Sequence, residues 1–410
     1  MMTTRTSFPK HDIKVLLLEN IHATAMEVFR EEGFQIEVVK GALSEAELAV
    51  RLRDVHVLGI RSKTRLTAAS LVDARRLLTV GAFCIGTNQI ELDAANAKGI
   101  PVFNAPFSNT RSVAELIIGE IIALSRKLFD RSGEVHAGKW RKLADGSYEV
   151  RGKTLGIVGY GHIGSQVGVL AESMGMRVLT YDIKSTMAIG NSQPLATLEE
   201  LLAASDFVTL HVPETPRTAG MIGAAELAHM KPGAYLLNAS RGTVVDIDAL
   251  ADALRRGHLA GAAVDVYPKE PESNSDDFRS ALQGLNNVIL TPHLGGSTVE
   301  AQAAIGKEVA TALVKFVNAG ITTGAVNFPP VELAPTPGAH RILNVHRNVP
   351  GVLRDVNRIV SDLGANVRAQ TLATDANIGY LVTDLDQDVS AEVTKAIAAL
   401  DTNIRTRILY

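Results

Sequence analysis

A chain of 410 residues, 46% hydrophobic and 21% charged, is too long for one compact core and predicts two or three globular domains. Its formal net charge of −3, without a long basic run, argues against general binding to nucleic-acid phosphates, and no apolar stretch is long enough to span a bilayer. The single cysteine, Cys84, rules out an intrachain disulfide and a cysteine-based metal site, so no metal is expected, and the opening MMTTRTSFPKHDIKV lacks a signal-like apolar core, so the cytoplasm is the expected location.

Ile13 to Leu18 reads as a first buried strand, and a helix-period stretch from His22 leads to a second strand at Gln35 to Val39. The turn after the first strand, Glu-Asn-Ile-His-Ala, carries no glycine fingerprint, which points this opening unit away from dinucleotide binding. Val55 to Ile60, Leu77 to Gly81 and Pro101 to Phe103 continue a strand and helix alternation typical of a parallel sheet. Ala105-Pro106 breaks the pattern, and Thr110 to Leu128 is a long apolar helix candidate with Thr110 or Ser112 available as its cap.

The stretch KTLGIVGYGHIGSQVG then places Gly159, Gly161 and Gly164 in GxGxxG spacing at a strand-to-helix turn. The first glycine permits the tight turn, the second the close approach of backbone to a pyrophosphate, and the third the packing of helix on strand. The next strand, Arg177 to Tyr181, runs into Asp182, whose carboxylate can accept from the ribose hydroxyls of NAD. A 2′-phosphate in its place would meet a repulsion of about 3 kcal/mol per unit charge, at ~5 Å and an effective dielectric of ~20, so NAD is the expected cofactor.

Further strands at Phe207 to Val212, Ala234 to Asn238, Gly261 to Val266 and Val288 to Thr291 complete the rhythm of a doubly wound sheet. Three residues follow strands at their carboxyl ends, where ligands of such sheets bind: Arg241 in NASRGTVVD, Glu270 in DVYPKEP and His293 in LTPHLGGS. A histidine suits proton exchange with a substrate hydroxyl, a glutamate beside it would orient the ring, and an arginine fork can hold a carboxylate. His162 and His211 read as contacts of the cofactor loops rather than acid-base groups. Val299 to Ala319 is a second long helix candidate, and Phe328 to Gly338 a proline-rich linker. Beyond it, strand and helix patterns in the order βαββαβ predict a separate, small ferredoxin-like domain.

At these residues the sequence resembles the D-isomer-specific 2-hydroxyacid dehydrogenases, in the branch that carries a C-terminal ACT domain. The likeness rests on FCIGTNQIELDAA, GIPVFNAPFSNTRSVAELIIGE, GYGHIG, LHVPET, LLNASRGTVVDI, DVYPKEPE and TPHLGGSTVEAQ. It implies an α/β fold of two Rossmann-like or flavodoxin-like parallel-sheet domains plus the ACT domain. Residues 1–108 would form the substrate-binding domain, completed by 299–330, with an NAD-binding domain at 109–298, a linker at 331–338 and a regulatory domain at 339–410. The active site would lie in the cleft between the first two.

The resemblance assigns catalysis to Arg241, Glu270 and His293. It implies cofactor contacts from Gly159, Gly161, His162, Ile163, Gly164, Asp182, His211, Val212, Pro213, Thr218, Ala239, Ser240, Asp265, Gly295 and Gly296. Substrate contacts would come from Arg61, Ser62, Lys63 and Asn109, with Lys63 standing where close relatives carry arginine, and Trp140 and Lys142 would reach a neighbouring subunit of a homotetramer. The implied reaction is NAD-dependent oxidation of 3-phospho-D-glycerate to 3-phosphohydroxypyruvate, with L-serine as a feedback inhibitor held by His346, Asn348 and Asn366, and 2-oxoglutarate reduction as a side activity. The alternatives are a dehydrogenase of glycerate, hydroxypyruvate or 2-hydroxyglutarate, favoured less by the cationic trio Arg61, Lys63 and Lys142, and a corepressor-like NAD-sensing scaffold.

Overall fold

Short runs such as VLL and VLGI, apolar on both sides of the pleat, demand cover on both faces of a sheet, and parallel sheets satisfy that demand. A computed structural model describes residues 8–184, 187–271 and 277–409; the first seven residues of the opening stretch, and Glu272 at the end of DVYPKEPE, lie outside them. The residues up to Ser108, together with those from Gln302 onward, form one compact unit, and Asn109–Ala301 the other.

In the first unit, β1 (Lys14–Leu17), β2 (Gln35–Val38), β3 (Val57–Ile60), β4 (Thr79–Ala82) and β5 (Val102–Asn104) form a parallel sheet in the order β2-β1-β3-β4-β5. That is a flavodoxin-like arrangement, whose strand order reverses between β1 and β3. The helix Ala23–Glu31 starts at His22, whose ring accepts the Thr24 N–H, and Glu45–Leu52 opens with a Ser44/Glu47 capping box. Ile305, Val309, Leu313 and Phe316 of the helix Val299–Ala319 pack with Leu17, Phe83 and Phe103 over one sheet face.

The second unit contains β6 (Thr154–Val158), β7 (Arg177–Tyr181), β8 (Gln193–Pro194), β9 (Phe207–Leu210), β10 (Ala234–Asn238), β11 (Leu259–Val264) and β12 (Val288–Leu290), all parallel, in the order β12-β11-β10-β9-β6-β7-β8. The order reverses between β6 and β9, which opens the crevice of a doubly wound sheet there. The helix Thr110–Arg126 begins after Asn109, without a side-chain cap. Ser112, a cap candidate by sequence, lies inside the helix and bonds Thr298 instead, Oγ to Oγ1 at 2.8 Å. Val113, Ile117, Ile121 and Leu124 of this helix join Leu155, Ile157, Val167 and Ala171 in one core.

Glu120 sits within that helix, 5% exposed, and among the described residues its Oε1 finds no hydrogen-bond partner. Burial, then the charge of Asp265, push its pKa up to about 8. The sign of the linkage follows: between the ordinary value of 4.5 and about 8 the folded chain holds a proton that the unfolded chain releases, so stability falls as pH rises through that window. By pH 7 the cost is about 3 kcal/mol at 1.36 kcal/mol per unit. Glu120→Gln is therefore expected to raise the urea midpoint above wild type at pH 7 to 8, with the two proteins converging near pH 5. Parallel pH dependences of the two proteins would contradict this account.

The C-terminal sheet comprises β13 (His340–Arg347), β14 (Val367–Thr374), β15 (Ile378–Leu385) and β16 (Asn403–Leu409), antiparallel in the order β14-β15-β13-β16, with the helices Val352–Asp362 and Ser390–Ala398. This is the ferredoxin-like plan. The sequence suggests a separate small domain; in the structure the sheet shares a core with the rest of its unit. Ile342, Leu381 and Leu385 face the two helices, whereas Leu343, Val345, Tyr380 and Val382 pack with Phe103, Phe316 and Phe328. With helices on one face only, the second apolar face needs cover, and the first unit's own sheet and helix supply it.

Polar groups fasten the same contact. Arg341, buried with Asp384 at 2.6 and 2.8 Å, also donates to the carbonyls of Ala319, Leu333 and Ala334. Tyr380 donates to Gly320 O at 2.7 Å, and Asn96 Nδ2 reaches Asp375 Oδ2 at 2.8 Å. The stretch 331–338 is thus no free tether, since Val331 is buried and exchanges bonds with Thr322. Among the described residues, no helix is long and apolar enough to cross a membrane.

Candidate active site

The glycine turn follows β6 at the reversal of strand order. Gly159 has φ +90°, and a Cβ there would strike the carbonyl oxygen of His211 at the end of β9; a Cβ on Gly164 would strike Gly159 O. Around Gly161, by contrast, a Cβ would meet nothing within 4 Å, and this residue directly precedes the helix His162–Ser173. The turn is therefore closed from behind by protein and left open above the helix N-terminus, where backbone N–H groups can receive a diphosphate. Ile163 packs into the core below it.

Asp182, at the end of β7, accepts from Tyr160 N at 2.8 Å and Lys184 N at 2.9 Å. One carboxylate thus ties the glycine turn to β7, and it has lone pairs left for ribose hydroxyls. Asp182→Asn keeps an acceptor for the turn while removing the charge, so the preference for NAD over NADP in kcat/KM is expected to fall at least about 100-fold, the equivalent of about 3 kcal/mol for one unit of phosphate charge. Steady-state kinetics with both cofactors read this directly, and an unchanged ratio would assign the discrimination elsewhere.

His211 N bonds Val158 O, and its ring Nε2 lies 3.0 Å from Thr209 Oγ1. Burial pushes its pKa down to about 3, so it stays neutral at working pH and suits a wall of the crevice rather than proton transfer. Thr218 donates to Pro213 O at 2.6 Å and so braces the loop that follows Val212.

At the carboxyl ends of β10, β11 and β12 the second constellation assembles. Nδ1 of His293 lies 3.0 and 2.9 Å from the two carboxylate oxygens of Glu270; a carboxylate only accepts, so Nδ1 carries the proton and, in the neutral ring, Nε2 is the nitrogen able to accept one. The hydrogen bond to Glu270 raises the His293 pKa above the ordinary imidazole value, against the pull of burial. Burial pushes Glu270 up, but the His293 bond and charge, the Tyr267 N–H and the charge of Arg241 outweigh it and hold the carboxyl below its ordinary range.

Arg241 is extended at φ −140° and donates Nη1 to Ser240 O at 2.7 Å. Ser240 in turn is held by Asn238, whose Oδ1 accepts both its N–H and its hydroxyl, and Ala239 lies against the core between them. Nothing in the sequence marks Gly242, yet a Cβ there would overlap the backbone of Tyr267 and Pro268. This close approach brings the Arg241 loop against the one that carries Glu270.

Asp265, 2% exposed, accepts from Thr291 Oγ1 at 2.6 Å, Leu294 N at 2.8 Å and Gly295 N at 2.9 Å. Its carboxylate thereby clasps the turn in which His293 adopts a left-handed φ of +53°. Asn109 is buried against Gly296, where a Cβ would come within 2.6 Å of its Nδ2.

Elsewhere the sequence-selected residues fall into separate groups. Arg61, Ser62 and Lys63 follow β3, with Ser62 and Lys63 exposed. Trp140 is 83% exposed and Lys142 is exposed beside it. His346 is buried near the end of β13, its Nδ1 2.9 Å from Arg347 O, and Asn348 follows that strand, donating Nδ2 to Asp375 O at 2.7 Å. Asn366 lies at the opposite end of the sheet, bonded to Asp386. The register of β13 and β14 on β15 separates the two ends by roughly 20 Å, at ~3.4 Å per residue. Among the described residues no cluster of His, Cys, Asp and Glu could hold a metal.

A doubly wound sheet with an open glycine turn, an acid at the end of its second strand and a Glu–His pair beside an arginine defines a nicotinamide-dependent dehydrogenase. Comparison with known proteins agrees and narrows the class. Residues 118–295 match the D-isomer specific 2-hydroxyacid dehydrogenase NAD binding domain, and residues 342–405 match an AHAS small subunit-like ACT domain. The chain is 56% identical to the D-3-phosphoglycerate dehydrogenase of Dictyostelium discoideum, over 100% of both chains. It is 53% identical to that of Escherichia coli K12, over 99% of this chain and 100% of the other. D-lactate dehydrogenase from Aquifex aeolicus, solved with NAD and lactic acid, matches with a TM-score of 0.67 and 28% identity, over 77% of this chain and 99% of that one. The chain belongs to the D-3-phosphoglycerate dehydrogenase family, within the NAD-dependent D-isomer-specific 2-hydroxyacid dehydrogenases.

Proposed function

We propose that this enzyme oxidises 3-phospho-D-glycerate to 3-phosphohydroxypyruvate, the first step towards L-serine, and that L-serine inhibits it through the C-terminal domain. The observation that carries the catalytic reading is the Glu270–His293 hydrogen bond in the electrostatic reach of Arg241. The chemistry NAD supplies when bound at the glycine turn is hydride acceptance. As hydride departs from the hydroxyl-bearing carbon, Nε2 of His293 takes the hydroxyl proton, which leaves the ketone. Glu270 fixes the ring and favours the imidazolium that forms. Arg241 spends one nitrogen on Ser240 O and has the remaining N–H groups to hold the substrate carboxylate and polarise the adjacent carbonyl. The cations Arg61, Lys63 and Lys142 serve the substrate phosphate.

Regulation and assembly belong to the same reading. His346 and Asn348 stand at one end of the C-terminal sheet and Asn366 at the other, so a serine site built from all three takes its parts from two chains. An exposed apolar set near Trp140, with Phe129 at 61%, Val135 at 54% and Leu143 at 53%, fits burial against a neighbouring subunit of a homotetramer.

The test is NADH formation from 3-phosphoglycerate and NADH consumption with 3-phosphohydroxypyruvate, each with and without millimolar L-serine. Turnover suppressed by serine supports both halves of the reading. Turnover indifferent to serine removes the regulatory half, and no turnover on either phosphorylated compound removes the substrate.

A further inference from the structure

The strand order of the first unit reverses between β1 and β3, and in such sheets ligands bind beyond the carboxyl ends of the strands at that reversal. Glu19 follows β1 there. It is 8% exposed and, with Asn20, forms a pair of left-handed non-glycine residues, at φ 60° and 52°. Such conformations persist where surrounding bonds over-determine them, and they gather at functional sites. Glu19 has those bonds: Oε1 accepts from Arg61 N at 3.2 Å and Thr64 N at 2.8 Å, and Oε2 accepts from Lys63 N at 2.9 Å.

One buried carboxylate thus gathers three N–H groups of the loop after β3. From the other side, Gln89 donates Nε2 to Arg61 O at 2.6 Å. With its N–H groups turned inward on Glu19, the loop leaves Ser62 and Lys63 exposed. A neutral side chain in the place of Glu19 would leave these donors, the Thr64 N–H buried among them, without their charged acceptor and free the loop to take other conformations.

We infer that Glu19 is a positioning residue for substrate, a buried carboxylate that moulds the Arg61–Thr64 loop so that Ser62 and Lys63 are presented together to an anionic, phosphorylated substrate. It touches no substrate itself and acts through the loop backbone. The inference rests on the reading of this loop as the phosphate-holding element.

The test compares the reduction of 3-phosphohydroxypyruvate with that of unphosphorylated hydroxypyruvate by wild type and Glu19→Gln. KM for the phosphorylated ketone is expected to rise at least about tenfold, the loss associated with hydrogen bonds to a charged group, while kcat, KM for NADH and KM for hydroxypyruvate stay within about threefold of wild type. Lys63→Met should raise the same KM, and the double variant should fall short of the product of the two single effects, because both act on one loop. An unchanged KM in Glu19→Gln, an equal rise for both ketones, or full multiplicativity overturns the inference. Should Glu19→Gln fail to fold, Glu19→Asp replaces it: a carboxylate one methylene shorter cannot reach all three N–H groups, and a wild-type KM in that variant is equally fatal. A wild-type protein idle on 3-phosphohydroxypyruvate but active on hydroxypyruvate is a different result, and it removes the proposed substrate along with the inference.

Discussion

Replacing His293 with alanine is expected to lower kcat by about 10²- to 10⁴-fold in both directions, the usual worth of a positioned general acid-base group. The size follows from geometry, since Glu270 occupies Nδ1 and leaves Nε2 as the one ring nitrogen able to exchange a proton with substrate. Glu270→Gln is the finer probe. The bond to Glu270 raises the His293 pKa, so a neutral partner lowers it.

With His293 as the proposed acid-base group, alcohol oxidation needs its neutral form and gains rate as pH climbs through that pKa, while ketone reduction needs the imidazolium and loses rate over the same range. In Glu270→Gln both limbs are expected to move to lower pH, so oxidation persists into more acid solution and reduction fails earlier. Profiles of kcat/KM in the two directions measure this. If only the amplitudes drop and the limbs stay in place, Glu270 orients the ring without tuning its proton affinity.

The second large effect concerns Arg241. Arg241→Gln is expected to reduce kcat/KM by about 10²- to 10³-fold, because in its proposed role the fork both holds the carboxylate and stabilises charge developing on the neighbouring oxygen. Arg241→Lys should recover little, since a point charge cannot supply two parallel hydrogen bonds. The loss should appear in kcat as well as KM if the interaction strengthens in the transition state; a change confined to KM would make Arg241 a substrate clamp and nothing more. The loop that carries Arg241 tolerates little adjustment, since Gly242 already abuts the backbone of Tyr267 and Pro268.

Much of the second unit could be read along the chain. The glycine turn, its preceding apolar strand and Asp182 lie within one strand–helix–strand unit, and turn chemistry and periodicity are properties of neighbours in sequence. Arg241, Glu270 and His293 could be picked out as candidates because each lies in the segment that follows an apolar strand, the place where parallel sheets present their chemistry. The βαββαβ order of the C-terminal region was equally plain.

What was hidden depends on which distant segments meet. Nothing around Ser112 reveals that its hydroxyl turns to Thr298 rather than capping its own helix. Apolar residues alternate on both faces of β13 and β15, but only packing shows that Leu343, Val345, Tyr380 and Val382 lie against Phe103, Phe316 and Phe328, so that the C-terminal sheet is built into its unit. Glu19, Gly242 and the three bonds of Asp265 escaped for the same reason. An acid after a strand, or a glycine after an arginine, looks ordinary until the strand order brings its partner alongside. The sequence alone therefore determined most strands and helices and the cofactor turn, and it marked the candidate reactive side chains, because these follow from periodicity and residue chemistry. The tertiary structure decided which buried carboxylates hold which loops, because a hydrogen bond between residues far apart in the chain exists only once the sheet has set their distance.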